Sequence, residues 1–149
     1  MGYQGRDSSS RAVEEVLEKI GKLKMLKDLD IKSMADDGGD ADKIAHTLKS
    51  MKTTQLRRFF GAIKLIERTI EEEEPDKAWK DVEAEFYLLK PKIAYAKGRK
   101  LIPEEFYQVL KVSLNKIDVG SNEDKIENFR IFVKFLESIV AYHKFYGGD

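Results

Sequence analysis

Cations arranged around an aromatic are the chemistry this chain offers most clearly. The stretch Leu89–Ile102, LKPKIAYAKGRKLI, carries Lys90, Lys92, Lys97, Arg99 and Lys100 around Tyr95, with no acid among them. Such a run suits a polyanion: the cations neutralise phosphates, and the ring stacks on an unpaired base. The chain as a whole is neutral, with 27 Lys+Arg against 27 Asp+Glu. A run of one sign inside a balanced chain is a matter of placement. Any polyanion surface must therefore be a patch, since the protein is not broadly basic.

Two further groups share this character. In TTQLRRFFGAIKLIERTI, Arg57, Gly61, Lys64 and Arg68 follow one another at offsets of four, three and four, which stack on one helix face. Arg57 and Arg58 fall in that helix's first turn. The positive end of the helix dipole makes each cation there cost about 0.3–1 kcal/mol. Helix stability does not ask for them, so an anion partner explains them better than a solvated face. Near the other end, Tyr142, His143, Lys144, Phe145 and Tyr146 crowd together. They can pack as a helix end, stack on bases or dock on a partner. The run at Lys90–Lys100 has a structural reading too. Cations near a helix C-terminus complement the dipole, and Gly98 stands where a C-cap glycine belongs. Two cations would serve that purpose, and five exceed it.

Catalytic constellations are missing from the pattern. His46 and His143 stand alone, and no HExxH, nucleophile elbow or glycine-rich phosphate loop occurs. Glu104 and Glu105 are adjacent, so they diverge on a helix, and they already suit its first turn. With no cysteine, disulfides, thiolate chemistry and Cys-ligated zinc are excluded. The acids of SMADDGGDAD invite calcium, but Gly38 and Gly39 interrupt them and no closing Glu follows at the required offset. We expect no enzyme, no cofactor, no metal and no small-molecule substrate.

The elements that position these residues all read as helices. Ser10 can cap a first helix with Val13, Val16, Leu17, Ile20, Leu23 and Leu26 on one side. Residues 33–42 read as a mobile, solvated loop, with a short helix after it around Ile44, Ala45 and Leu48. Thr53 or Thr54 caps the next helix, whose stripe is Leu56, Phe59, Phe60, Ile63, Ile66 and Ile70. A single helix over about 76–96, kinked at Pro91, carries Trp79, Val82, Phe86, Leu89 and Ile93. Pro103, Glu104 and Glu105 open another, ended by Gly120. Asn122 caps the last, with Ile126, Phe129, Phe132, Val133, Leu136, Ile139 and Val140 inward and Arg130 and Lys134 on its other side. No strand pattern competes. The fold class is all-α: a single-domain bundle of about five helices over 10–146, with a flexible N-terminus (1–9) and a tail (147–149). No apolar run approaches the roughly 20 residues that span a bilayer, and no secretory signal is visible, so we expect a cytoplasmic protein without membrane contact.

The order TTQLRRFFGAIKLIE, LLKPKIAYAKGRK, FRIFVKFLESIVAYHKFYGG resembles the small subunit of type III-A CRISPR effector complexes, the Csm complex. The likeness runs from about Thr53 to Gly148. It implies a non-catalytic helical bundle that stacks in several copies as a filament beside the subunits holding the guide RNA. It implies contact with guide and target RNA, mostly at phosphates, and bridging to the large subunit in antiviral defence. Carried over by segment, Arg57, Arg58 and Lys64 sit in the first basic motif. Lys90, Lys92, Lys97 and Arg99 sit in the second, and Lys144 lies near the third. Arg68 and Lys100 join the candidate RNA-binding set from the residue reading. The rival reading is a helical protein–protein interaction module without RNA contact.

Overall fold

The computed structural model describes residues 4–147. They form α1 (Gln4–Lys22), α2 (Ile31–Ala35), α3 (Asp40–Thr47), α4 (Thr53–Glu72), α5 (Pro75–Tyr87), α6 (Leu89–Gly98), α7 (Glu104–Ile117) and α8 (Asn122–Phe145), with one 3-10 turn at Leu26–Asp28. The described residues contain no strand, so the all-α expectation holds. Six helices have ten residues or more, against the expected five or so.

Pro91 supplies the extra helix. The expected helix over 76–96 is two, α5 and α6, separated at Leu88. A proline clashes with the carbonyl four residues back, here Tyr87, the last residue of α5. Breaking the chain at Leu88 puts Pro91 in the first turn of α6, where its missing N–H is not needed.

Other boundaries shift for equally local reasons. Ser10 lies inside α1 and does not start it. Lys52 is the N-cap of α4, so Arg57 and Arg58 stand in its second turn and not, as expected, in its first, and the Thr53 hydroxyl is engaged by His143 across the bundle. Ser121, not Asn122, caps α8 through a capping box with Asp124. α7 ends at Ile117, and Gly120 follows in the turn with φ 89°. The segment 33–42 is not a plain solvated loop. It comprises the end of α2, a turn and the start of α3, and it holds two buried acids. Asp40 accepts from Lys19 at 2.8 Å, and Asp42 accepts from the Gly38 amide at 2.7 Å and from the Tyr146 hydroxyl.

α8 is the axis of the bundle, packed against α3, α4, α5 and α7. A helix enclosed by neighbours is apolar over a wide arc. Accordingly Phe135 and Asn128 are buried beside the expected Phe129, Phe132, Val133, Leu136 and Ile139. Trp79, Phe86, Phe129 and Phe132 form a chain of edge-on and tilted rings, 5.1, 6.3 and 6.0 Å between successive centroids. Such pairs add about 0.5–1.5 kcal/mol each beyond their burial. Asn128 pins three elements: its amide donates to the Ile117 carbonyl at 3.0 Å and accepts from the Lys27 amide at 2.7 Å.

Candidate nucleic-acid interface

The three basic segments, distant in sequence, meet at the entry to α4. His143 near the end of α8 is buried, and its Nε2–H donates to the Leu48 carbonyl at 2.9 Å. A carbonyl only accepts, so Nε2 carries the proton and Nδ1 accepts from the Thr53 hydroxyl at 3.3 Å. Two contacts thus clamp the third segment against the start of the first. Ser50 and Met51, just before α4, share a shallow cleft with Lys97, Lys100 and Glu104. One turn further along α4, Gln55 and Arg58 share a groove of about 530 Å³ with Lys92 and Tyr95 of α6.

The candidate residues divide by position. Arg57, Arg58, Lys92, Arg99, Lys100 and Lys144 are exposed and Lys97 is half-buried; all belong to the segments that converge. Lys90 is exposed in the first turn of α6, seven residues before Lys97 and so about 10 Å along the axis. Arg68 is exposed toward the far end of α4, about 20 Å from Thr53. Lys64 is tied to Glu67 at 2.7 Å and Glu137 at 3.9 Å, and the hydrogen bond it donates to Glu67 raises its pKa. Arg130, on α8, is bound to Glu71 and Glu127.

Charge pairing sharpens the division. Arg57, Arg58, Arg68, Lys90, Lys92, Lys97, Arg99 and Lys100 have no ion-pair partner among the described residues. Arg99 leans on Tyr95 instead: Nη1 donates to the phenol oxygen at 3.1 Å, and the guanidinium lies 5.7 Å from the ring centroid. The Tyr95 ring itself is 64% exposed. A cation over an aromatic, with ring and charge both open to water, is a platform for a base and its phosphate.

Lys100 carries the one positive φ found outside glycine among the described residues, 61°. The α6 end is a Schellman turn: Leu101 N–H donates to the Ala96 carbonyl at 2.9 Å, and Lys100 N–H to the Lys97 carbonyl at 3.0 Å. The left-handed position of that turn is Lys100, two residues beyond the glycine expected to cap the helix. Gly98 is an ordinary helical residue with open space around it. A β-carbon in the left-handed region costs about 1–2 kcal/mol. The fold would be better served by glycine at residue 100.

The model of the family described as Csm2 Type III-A matches residues 31–149. The chain belongs to the Csm2 type III-A family. It is therefore a small subunit of a type III-A CRISPR effector. No curated protein and no solved structure matches it. The family match covers all three basic segments and α2 through the end of α8, and leaves α1 outside.

Two features of this Csm2 family member escape a reading of the sequence alone. Lys49 and Lys52 are exposed in the stretch that receives His143 and faces the α6 end. Their signal was only a KSMK run ahead of α4, too short to separate from a solvated loop. The other feature is the groove beside Arg58. Its walls are mostly apolar, Phe59, Ala62, Ile93, Leu101 and Leu110 among them. The residues come from α4, α6, α7 and the turn after α6, so no single periodicity announces it.

Proposed function

We propose that this Csm2 family member is a non-catalytic, cytoplasmic subunit that holds guide and target RNA by their phosphates at the basic end of its bundle. It also bridges neighbouring subunits, including copies of itself. The observation that carries this reading is the meeting, at the entry to α4, of three basic segments, in the first two of which Arg57, Arg58, Lys92, Lys97, Arg99 and Lys100 have no ion-pair partner among the described residues. Surface cations that serve stability are usually set beside acids, as Lys77 is between Glu73 and Asp81. Arg57, Arg58, Lys92, Lys97, Arg99 and Lys100 are left for a ligand. One of the cations stands where the fold disfavours it: Lys100, in a left-handed turn. Phosphate contact needs no base readout, because the guide supplies sequence specificity by pairing.

The test is RNA binding by the purified protein at two salt concentrations, beside a variant with Lys90, Lys97, Arg99 and Lys100 reversed to Glu. Single-stranded and duplex RNA are both used. Salt-sensitive binding that the variant loses supports the reading. Absence of binding at low salt removes autonomous RNA contact and leaves a protein-docking subunit, to be reconstituted with its partners.

A further inference from the structure

The structure joins the acidic turn at Asp36–Asp42 to the aromatic end of α8. Tyr142 donates to the Ala35 carbonyl at 2.6 Å and to Asp37 at 3.4 Å, and Tyr146 donates to Asp42. Both phenol pKa values are raised, that of Tyr142 first by burial and that of Tyr146 first by its bond to Asp42. Between these two tyrosines in sequence stands Phe145, 78% exposed, its ring 5.3 Å from that of Tyr146. Asp36 and Asp37 are exposed beside the same tyrosines. The result is an apolar ridge flanked by acids.

The groove between α4, α6 and α7 has the opposite character. Its floor is apolar, its bank carries Leu88 at 54% exposure, and its rim carries the unpaired cations Arg58 and Lys92. Neither of those cations has an ion-pair partner among the described residues. We propose that the groove receives a second copy of this chain, with Phe145 entering the apolar floor and Asp36 and Asp37 meeting Arg58 and Lys92. Shape and charge complement each other on both counts, and the neutral net charge lets copies approach without mutual repulsion. A ridge and a groove at different places on one surface make a heterologous contact, which copies can repeat. The proposal names the surfaces for the self-association part of the reading above and rests on that part alone.

The test is sedimentation velocity of the purified protein over a concentration series at low salt. Wild type is expected to associate, and Phe145→Ala to weaken association by at least about tenfold, as removal of a central aromatic anchor does. Leu88→Arg blocks the groove from its exposed bank, with Ala62→Trp as a second blocking variant if the first disturbs the fold. Neither variant associates alone, but their one-to-one mixture with Phe145→Ala forms dimers, since one partner keeps the groove and the other the ridge. A wild type that stays monomeric at the highest attainable concentration overturns the proposal. So does a mixture that stays monomeric, or association indifferent to both changes. Phe145→Ala keeps the wild-type salt slope of RNA binding; loss of that slope together with association would assign the ridge to RNA and overturn the docking surface. Failure of RNA binding in wild type, with association and complementation intact, would refute only the RNA reading.

Discussion

Leu101 donates its amide to the Ala96 carbonyl at 2.9 Å, and this closing bond of α6 turns Lys100 into the left-handed region at φ 61°. A cation thus occupies the position of the turn where glycine is at ease. Stability and charge pull in opposite directions at one residue.

Lys100→Gly should therefore stabilise the fold while weakening RNA contact. Relief of the left-handed strain outweighs the extra freedom glycine gains in the unfolded chain, by about 0.5–1 kcal/mol. Thermal unfolding should rise by roughly 1–4 °C. The log–log salt slope of RNA binding should fall by about one phosphate contact. A variant that is both more stable and unchanged in slope would show that Lys100 touches no phosphate.

Arg57→Glu with Arg58→Glu should leave the fold intact. Both residues stand in the second turn of α4, are exposed and have no ion-pair partner among the described residues, so neither change removes a contact that holds the fold. Far-UV circular dichroism should be unaltered while RNA engagement falls. Melting of the domain would return both arginines to a structural role.

His143→Leu should destabilise without changing the salt slope. The substitution leaves the Leu48 carbonyl and the Thr53 hydroxyl without their partner in the interior. An unsatisfied buried polar group costs about 1–3 kcal/mol. Denaturant titration should show the loss. If stability is unchanged, water has replaced the ring and the clamp between α8 and α4 is dispensable.

Acid should loosen the start of α8. Asp124 accepts from Lys27 Nζ at 2.6 Å and from the Ser121 amide at 3.0 Å, and these bonds hold its pKa down to about 2, against 3.8 ordinarily. A carboxyl depressed on folding contributes stability above its unfolded pKa and loses it as pH falls toward the folded value. The window is therefore pH 4 down to 2. Asp124→Asn should flatten the dependence of the unfolding temperature on pH across that window. An identical slope in both proteins would detach Asp124 from acid unfolding.

Much of the fold was legible because it is local. Leu56, Ile63, Ile66 and Ile70 recur at helical spacing and are buried on α4; Phe129, Phe132 and Leu136 do the same on α8. The boundaries were less legible where two adjacent residues compete for one role, as Ser121 and Asn122 do, or where a side chain is claimed from across the bundle, as Thr53 is by His143. Gly98 and Lys100 teach the same lesson in reverse. Residue type suggests glycine for the left-handed position, but where the last α6 bonds close decides which residue takes it.

By itself the sequence determined that this is an all-helical chain with three cationic segments, and it carried the order of motifs by which the family is known. Helical periodicity and charge runs are properties of neighbours in sequence, so they can be read there. Only the tertiary structure decided that the three segments meet. Residues 95 and 90 positions apart, His143 with Leu48 and with Thr53, close that end of the bundle. It also decided that Arg58 and Lys92 flank an apolar groove while Lys64 is bound to acids. Such pairings depend on how whole helices pack against one another, and no local pattern encodes them.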